Sequence, residues 1–441
     1  MLNEEQQRVV VSDDRFLFLL AGAGSGKTRV LIERIKRLIH EGEDPNLMLA
    51  ITFTRKASME MKERLHDDRM SVHTFHQLAY SKLESIFQYS LSIMDEKDLK
   101  GYTREEVLSI TNYKNSLHKG KKPRAYQRYQ DDLMKHGSMD YDDLLLMFLR
   151  EIKHHPERIK YHYIFVDEFQ DTNPLQYEVL KQLIKKDTSV FAVGDPDQSI
   201  YQFRGATPKI IEQYIKDYHA TVYKLTLNYR SLQSIITCAN LLIKHNTRKY
   251  PKVLIPTHLS QGKAFTMRFI DDKEESNTII SFLQAMHRLG TRYEDMAIFF
   301  RNHQRAYLLM ITLHEQGISF QRQDDEEVIG HGLHLMSIHQ SKGLEFDVVI
   351  IMGCEEGLLP STRINMISAY EEERRLMFVA ITRARHILLA TSIIHDSENH
   401  HFTSSPFLRE SGLKNISPKR ISDIISLGDY DGHQTTHQRT R

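Results

Sequence analysis

The 441-residue sequence has no tryptophan and only two cysteines, Cys238 and Cys354. The two cysteines are far apart and form no CxxC pair, which suggests a reducing compartment and argues against a disulfide framework. No apolar run approaches the roughly 20 residues that a membrane-spanning helix needs. The N-terminal segment MLNEEQQRVV is acidic and polar, whereas a signal peptide would be basic and then apolar. We therefore expect a soluble cytoplasmic protein with no membrane partner.

An excess of one charge is also absent, because 59 Lys and Arg residues face 58 Asp and Glu residues. No global positive field would attract nucleic acid, so any such site must be a local patch. Histidine is frequent, with 24 residues. The run HDSENHH at 395–401 nevertheless matches no usual zinc spacing and has no cysteine nearby, so we predict no zinc site there.

Short apolar segments alternate with helical patterns along the chain, which predicts an α/β fold with parallel sheets. Buried strands are expected in the first half at RFLFLLAG, NLMLAITFT, YHYIFVDE and SVFAVGD, and in the second half at TVYKLTLNY, EDMAIFF, FDVVIIMG and HILLATS. A chain of this length forms roughly two or three domains. We predict a first domain in two parts (1–76 and 141–218), a small helical insertion at 77–140, a second domain at 219–392 and a loosely ordered tail at 393–441.

The segment AGAGSGKTRV at 21–30 follows a predicted strand and precedes a helical pattern. Its glycines let backbone N–H groups wrap a phosphate, and the N-terminus of the following helix adds its dipole. Lys27 would reach the β- and γ-phosphates, and the Thr28 hydroxyl would bind Mg²⁺. Ala21 replaces the first glycine of the general pattern, which is a mild departure. The residues predicted to hold the nucleotide here are Ala23, Gly24, Ser25, Gly26, Lys27 and Thr28.

The acidic segment YIFVDEFQDTN at 163–173 supplies the carboxylates that such a phosphate loop needs. Asp167 follows an apolar strand at its carboxyl end, where α/β sheets bind ligands. Asp167 is predicted to bind Mg²⁺, and Glu168 is predicted to polarise the attacking water. The two segments together predict hydrolysis of a nucleoside triphosphate with Mg²⁺, as in a kinase, a transporter motor or a helicase.

Two further segments favour nucleic acid. The segment VGDPDQSIYQFRGA at 193–206 joins acidic and amide groups, which suit a phosphate or metal, to aromatic residues and an arginine, which suit stacked bases. The basic stretch KGKKPRAYQRYQ at 119–130 could bind a DNA backbone, with its tyrosines adding stacking. It could equally be a solvated loop that enters a helix, and the sequence leaves both readings open.

Seven segments occur in the order seen in superfamily 1 DNA helicases, and the chain resembles the UvrD/Rep/PcrA group from Leu2 to about Leu389. The segments are LNEEQ at 2–6, TFTRKASMEMKERL at 52–65, HTFHQL at 73–78, VGDPDQSIYQFRGA at 193–206, LNYRS at 227–231, SIHQSKGLEF at 337–346 and EEERRLMFVAITRAR at 371–385. The resemblance implies two RecA-like P-loop domains that bind ATP between them, with a small helical insertion in the first.

The same resemblance implies roles for individual residues. At the nucleotide, Gln6 would read the adenine edge, Arg29 and Tyr229 would sandwich the base, and Glu345 would contact the ribose. Gln198 would sense the γ-phosphate, and Arg230 and Arg383 would act as arginine fingers from the second domain. On the DNA side, the residues implied to stack on bases are Phe53, Tyr201 and Phe203, and those implied to contact bases or backbone are His76, Arg204 and His339.

The function implied is that of an ATP-dependent helicase and translocase moving 3′→5′ on single-stranded DNA, with single-stranded DNA and single/double-strand junctions as partners. The first alternative is a DNA-stimulated ATPase motor that strips proteins from DNA or serves a nuclease or loading partner with little unwinding of its own. The second is a degenerate nucleotide-dependent binding module, which the intact hydrolytic residues disfavour. Two departures from the family are Phe203, where relatives usually have tryptophan, and Arg55, where asparagine is common.

The family that the chain resembles has a whole helical domain inserted before the KGLEF motif, thought to contact duplex DNA and to restrain unwinding. Here the chain passes from ISFQ to the strand LHLMSI in about a dozen residues. So short a polar loop cannot bury a core, because chains below about 40 residues rarely fold unaided. We therefore expect a nearly bare two-domain motor with strong ATPase activity and weak unwinding.

Overall fold

The structure, a computed structural model, describes residues 2–95, 98–258, 260–322, 332–361 and 367–421. The chain divides into two compact units. Unit 1 comprises Met1–Tyr229 and Tyr250–Ile255, and unit 2 comprises Arg230–Lys249 and Pro256–Arg441. Each unit contains a parallel sheet with helices, so the predicted fold class, α/β with two parallel-sheet domains, is confirmed.

Unit 1 has nine α-helices among its described residues. They are α1 (Glu4–Val11), α2 (Lys27–His40), α3 (Arg55–Leu65), α4 (Phe75–Phe87), α5 (Arg104–Asn115), α6 (Tyr126–Lys135), α7 (Tyr141–His154), α8 (Pro174–Leu183) and α9 (Lys209–Tyr218). Its strands are β1 (Phe16–Ala21), β2 (Met48–Thr52), β3 (Ser71–Thr74), β4 (Tyr163–Val166), β5 (Ser189–Gly194), β6 (Thr221–Leu225) and β7 (Leu227–Asn228). The short strand β8 (Ile255–Pro256) follows later in the chain.

The main sheet of unit 1 has the strand order β3-β2-β4-β5-β1-β6, and all its neighbours pair in parallel. In a parallel sheet the carboxyl ends of all strands lie at one edge. The segments that follow strands β1 to β5 therefore lie side by side at this edge. They contain most of the candidate site residues predicted from the sequence.

The central strands β2, β4, β5 and β1 are largely apolar because both faces of the sheet are buried there, whereas the edge strands β3 and β6 are more polar. In β1, Phe18 and Leu20 belong to the hydrophobic core on one face. Leu17 and Leu19 belong to the core on the other face. Both faces of β1 are therefore packed, which fixes the position of its carboxyl end and of the phosphate loop that follows.

The helical insertion of unit 1 has a small core of its own, formed by Leu99, Ile110, Ala125, Tyr129 and Leu133. Tyr129 is only 1% exposed, so it cannot stack on a base, and the stacking role suggested for the tyrosines of the 119–130 stretch is wrong for Tyr129. Tyr129 and Leu133 are four residues apart on α6, so both lie on the buried face of this amphipathic helix. The side chains of Lys121, Lys122 and Arg124 are exposed.

A buried ion-paired lysine, Lys114, ties the insertion to α7. Its side chain is 0% exposed, and its ammonium donates to Asp140 at 2.6 Å and to Asp143 at 2.8 Å. Burial is the largest influence on the Lys114 pKa and lowers it, but the two carboxylates outweigh burial and the pKa is raised. The cation therefore stays charged inside the protein.

Unit 2 has five α-helices among its described residues: α10 (Gln233–Ile243), α11 (Asp272–Arg288), α12 (Tyr307–Glu315), α13 (Ile367–Ile381) and α14 (Pro406–Glu410). Its strands are β9 (Lys263–Phe269), β10 (Met296–Phe300), β11 (Phe320–Arg322), β12 (Leu333–Ser337), β13 (Phe346–Ile351), β14 (Ala384–Ile393) and β15 (Lys414–Asn415). They form one parallel sheet in the order β11-β12-β10-β13-β14-β9-β15. Among the described residues, no helix has the length and apolar character needed to cross a membrane.

The C-terminal segment of unit 2 differs from expectation as far as the structure describes it. Residues beyond 392 were expected to be loosely ordered, but α14 packs with Phe407 fully buried, and β15 pairs in parallel with β9. The expectation is wrong for 405–415 because three buried apolar residues, Phe407, Leu408 and Leu413, anchor this stretch. Most of the amphipathic segment PKRISDIISL at 418–427 lies outside the described residues, as does the stretch 323–331.

Candidate nucleotide and DNA site

The phosphate loop leaves β1 after Ala21 and enters α2 at Lys27. Gly24 and Gly26 have φ values of 66° and 82°, a left-handed conformation that glycine adopts without steric cost. Gly26 caps α2 without any side-chain hydrogen bond. The first N–H groups of a 14-residue helix therefore lack a side-chain partner, which is the arrangement that binds phosphate.

Four predicted side chains meet at the ends of β1 and β4. The Thr28 hydroxyl donates to Asp167 Oδ2 at 3.3 Å. Lys27 Nζ lies 3.6 Å from Glu168 Oε1. Glu168 has a φ of 51°, which is uncommon for a residue with a side chain and occurs often at functional sites. The structure thus brings together a cation, a hydroxyl and two carboxylates beside the phosphate loop.

The electrostatics of this group fit a divalent cation. Burial raises the pKa of Asp167 to about 6, and the neighbouring charge of Glu168 adds to the shift. Two adjacent carboxylates with one lysine are short of positive charge, and carboxylate and hydroxyl oxygens are the ligands that Mg²⁺ prefers. Thr28 and Asp167 therefore have the chemistry predicted for the metal, while their role as ligands stays a prediction.

The predicted base-binding residues Gln6 and Tyr229 are both anchored to the phosphate loop. Gln6 Nε2 donates to the Ser25 carbonyl at 3.0 Å, and Gln6 Oε1 accepts from the Asn3 backbone N–H at 3.1 Å. The Tyr229 N–H donates to the Gly24 carbonyl at 2.9 Å, and its hydroxyl accepts from Asn3 Nδ2 at 2.6 Å. An amide has two hydrogens and two lone pairs, so Gln6 keeps the capacity to read an adenine edge.

Gln198, the predicted γ-phosphate sensor, is buried after the end of β5. Its Nε2 donates to Asp195 Oδ2 at 2.6 Å. Asp195 in turn donates its backbone N–H to Gln170 Oε1 at 2.9 Å, and Gln170 Nε2 also donates to Glu168. Gln170 therefore links Glu168, the candidate general base, to Asp195, the partner of Gln198.

Gln170 is a residue that the sequence reasoning missed. A glutamine in the run DEFQDTN does not by itself indicate a catalytic role. The signal in the sequence is Gly194, because a glycine in a strand often marks a close approach of another part of the chain. A Cβ added at Gly194 would lie 2.7 Å from Gln170 Oε1 and 3.2 Å from Gln170 N. The close approach of Gln170 therefore favours glycine at this position.

Gly194→Ala is expected to displace Gln170 and to lower ATP turnover about tenfold, the usual scale for losing a group that orients a catalytic residue. Overpacking should also lower the free energy of unfolding by about 1–3 kcal/mol. Gln170→Ala removes the same contact without overpacking and should lose a similar amount of turnover. Steady-state ATPase assays and denaturant titration would measure both effects, and wild-type turnover in both variants would contradict the positioning role of Gln170.

The predicted stacking residues form one aromatic group in unit 1. The rings of Phe53 and Tyr201 stack with centroids 4.8 Å apart and planes at 29°. Tyr201 and Phe203 are tilted neighbours with centroids 6.1 Å apart. Phe203 is 36% exposed, and the Arg204 guanidinium lies over its ring at 5.5 Å. An exposed aromatic surface with a cation beside it suits single-stranded nucleic acid.

His76, also predicted to contact DNA, lies in the first turn of α4 at the same edge of the sheet. Its ring meets Tyr141 edge-on, with centroids 5.5 Å apart. Burial lowers the pKa of His76 to about 4. At neutral pH the ring is uncharged, so any contact with DNA would use hydrogen bonding or stacking and not a charge.

Within unit 2 the candidate residues Arg230 and Glu345 are paired. Arg230 Nε donates to Glu345, which also accepts from Arg385, and Arg230 donates to the Thr382 carbonyl at 3.1 Å. Burial is the largest influence on the Glu345 pKa and raises it, but the two arginines outweigh burial and lower the pKa to about 2. Glu345 therefore remains ionised and could accept from a sugar hydroxyl.

Arg383 lies near this cluster in the chain, directly before β14. Its guanidinium donates to the carbonyls of Val379 at 3.0 Å and Leu344 at 3.1 Å. Glu345 directly precedes β13 and Arg383 directly precedes β14, so both lie at the amino ends of neighbouring strands. His339 instead follows the carboxyl end of β12 and lies at the opposite edge of this sheet.

The exposed Arg29 completes the set of predicted residues, and its place in the first turn of α2 puts it beside the phosphate loop. Across the described ranges, no group of three His, Cys, Asp or Glu side chains is arranged to hold a metal ion. The Mg²⁺ prediction does not require such a group, because Mg²⁺ usually binds one or two protein oxygens together with phosphate and water.

The family comparisons identify the class of protein that this fold and these segments define. The model of the UvrD/REP helicase N-terminal domain matches residues 2–119 and 88–219. The model of the UvrD-like helicase C-terminal domain matches residues 223–328 and 321–394. The chain therefore belongs to the UvrD/REP helicase family.

Individual relatives agree with the family. A probable DNA helicase of Mycoplasma pneumoniae is 30% identical over 465 residues, covering 92% of this chain and 86% of that protein. The ATP-dependent DNA helicase PcrA of Staphylococcus aureus (strain Mu50) is 29% identical over 483 residues, covering 97% of this chain but 66% of that protein. The PcrA of Staphylococcus epidermidis is 28% identical, covering 100% of this chain and 68% of that protein. The chain is thus shorter than the PcrA proteins that it matches.

Proposed function

We propose that this protein is an ATP-dependent DNA helicase and translocase that moves 3′→5′ along single-stranded DNA. The observation that supports it best is the continuous segment from Gln198 to Phe203. Gln198 is buried beside Asp195, and three residues later Tyr201 stacks on Phe53. Ile200 is fully buried between them, and Ser199 donates to the Gln170 carbonyl at 3.2 Å. A shift of the sensor on hydrolysis would therefore move the aromatic group that grips a base.

The hydrolytic step is assigned to residues of the sheet edge in unit 1. The phosphate loop and Lys27 would bind the phosphates, and Glu168 would take the proton of the attacking water. Mg²⁺ held by Thr28 and Asp167 would supply positive charge to the phosphates. Gln6, Arg29 and Tyr229 would bind the base. The residues proposed to act from unit 2 are Arg230 and Arg383 on the phosphoryl charge and Glu345 on the ribose.

The second candidate function is a DNA-stimulated motor that does little unwinding by itself. It is favoured by the direct pairing of β11 with β12, in which Phe320 is the partner of Leu333. Only residues 323–332 connect these strands. Ten residues cannot fold a domain, since chains below about 40 residues rarely fold alone. A duplex-gripping domain at this point of the chain is therefore not available to the protein.

A tailed-duplex assay separates the two functions. We expect DNA-stimulated ATPase activity and 3′→5′ translocation on single strands, with weak unwinding of a duplex by the isolated protein. Translocation would be followed by arrival at a labelled 5′ end, and unwinding by single-turnover strand displacement on 3′-tailed and 5′-tailed duplexes. Preference for the 5′ tail would contradict the proposed polarity.

The exposed basic residues Lys121, Lys122 and Arg124 are the matched test of any remaining duplex grip. Changing all three to glutamate should reduce residual unwinding and leave DNA-stimulated ATPase activity on single strands within about twofold, because a like-charge surface weakens backbone contacts. Fast, processive unwinding that ignores this charge reversal would overturn the expectation of a weak helicase.

A further inference from the structure

The segment 250–255, which we call the return segment, comes back to unit 1 after residues 230–249 have formed part of unit 2. Its side chains alternate in burial: Lys252 and Leu254 are buried, whereas Val253 and Ile255 are exposed. The N–H of Ile255 donates to the Thr226 carbonyl at 2.9 Å. The segment therefore buries a lysine and exposes two β-branched apolar residues, the reverse of what solvation alone would select.

Lys252 contacts two aspartates of the segment in unit 1 that also contains Gln198, the predicted γ-phosphate sensor. Its side chain is 1% exposed, and its ammonium donates to both Asp195 and Asp197. Burial is the largest influence on the Lys252 pKa and lowers it, but the two carboxylates outweigh burial and the pKa is raised. The lysine is therefore a permanent cation fixed between two carboxylates.

Asp195 connects Lys252 to Gln198 and so restricts the orientation of the Gln198 amide. Its Oδ1 accepts from Lys252 and from the Asp197 backbone N–H at 3.0 Å, and its Oδ2 accepts from Gln198 Nε2 at 2.6 Å. With Oδ1 held by a cation, the carboxylate cannot rotate without breaking an ion pair, so the Gln198 amide has one preferred orientation. The neighbouring Leu254 packs on the phosphate loop, where a Cβ at Gly22 would lie 2.3 Å from Leu254 Cδ2.

We propose that Lys252 is a positioning residue for ATP hydrolysis, acting through Asp195 to hold the Gln198 side chain in its phosphate-sensing orientation. The inference rests on the proposed function, because it assigns the orientation of Gln198 a role in turnover. The return segment thereby contacts both the phosphate loop and the sensor, and it fixes the two relative to each other within unit 1.

The test removes the Lys252 cation without changing the net charge of the buried cluster that it forms with Asp195 and Asp197. Lys252→Met/Asp197→Asn removes one cation and one carboxylate, so the net charge of the buried cluster is unchanged. Compared with Asp197→Asn alone, which keeps the Lys252–Asp195 pair, we expect kcat for ATP at saturating single-stranded DNA to fall about 10–100-fold. KM for ATP should change less than about threefold, because the phosphate loop and base contacts are intact.

Lys114 offers a matched control, since it is equally buried and is also paired with two aspartates. Lys114→Met/Asp143→Asn makes the same chemical change in the helical insertion, where Lys114 contacts Asp140, Asp143 and Tyr129. Its kcat, measured per folded molecule with the folded fraction taken from circular dichroism, should stay within about twofold of wild type. An equal loss of kcat in this control would show a general folding effect and would overturn the positioning role.

Asp195→Asn cuts the same link from its other side and keeps Lys252 paired with Asp197. It should reproduce the loss of kcat, so it decides the question even if the Lys252 double variant does not fold. Wild-type kcat in Asp195→Asn or in the Lys252 double variant would overturn the inference while leaving the proposed function intact. Absence of DNA-stimulated ATPase activity in the wild-type protein would instead count against the proposed function.

Discussion

Glu168→Gln is expected to abolish ATP turnover while leaving ATP binding intact. The substitution keeps the size of the side chain and leaves the phosphate loop untouched, but an amide cannot accept the proton of the attacking water. General-base catalysis accelerates a reaction by about 10²–10⁴-fold, so the turnover number for ATP should fall by at least about 100-fold. Steady-state ATPase assays would measure the loss, and equilibrium binding of a fluorescent ATP analogue would show the retained affinity.

Lys27→Ala is the control for this prediction, because it should lose turnover by a different route. Lys27 lies in the first turn of α2, where its ammonium would bind phosphate, so its removal should weaken ATP binding as well as hydrolysis. The two variants should therefore differ in affinity while both are inactive. Normal turnover in Glu168→Gln would refute the general-base assignment.

Phe203→Ala is expected to weaken single-stranded DNA binding and to uncouple ATP hydrolysis from movement. Stacking on an aromatic side chain is worth about 1–3 kcal/mol per base, which corresponds to roughly 5–150-fold in affinity. Basal ATPase activity should survive, because the ring of Phe203 packs beside Tyr201 and Arg204 and the role predicted for it concerns DNA and not the nucleotide. Fluorescence anisotropy with labelled oligonucleotides and ATP consumed per nucleotide translocated would measure the two effects.

Two comparisons sharpen this test. Phe203→Trp keeps an aromatic platform and should preserve coupling. Tyr307→Ala removes another exposed aromatic side chain, 64% exposed on α12, and should leave both DNA affinity and coupling unchanged. If Phe203→Ala translocated as far per ATP as the wild type, the stacking role of Phe203 would be wrong.

The fold class was predictable because the buried strands are short and apolar, and each of the eight apolar segments overlaps a strand of the structure. The strands that the sequence did not reveal have weaker patterns. In β3, SVHT, only Val72 is apolar, and β9, KAFTMRF, is interrupted by polar residues. Such strands are defined by their neighbours in the sheet and not by their own composition.

The candidate site was predictable where its chemistry is local in the chain, as in the phosphate loop and the Asp167–Glu168 pair. It was not predictable where a contact joins distant segments. Nothing in PKVLI indicates that Lys252 turns inward, because a period-2 reading would bury Val253 and Ile255 and expose the lysine. The inversion follows from Asp195 and Asp197, which lie more than 50 residues earlier and need a buried cation.

The path of the return segment has a consequence for biosynthesis. Protein chains are made from the N-terminus, and domains usually fold as units when their last residue emerges. Unit 1 is complete only when Ile255 has been added, after all of α10 in unit 2 has been synthesised. A nascent chain ending at Tyr229 would hold Asp195 and Asp197 without their lysine and would leave Gly22 without Leu254. Part of unit 2 therefore has to be synthesised before unit 1 can pair Asp195 and Asp197 with Lys252.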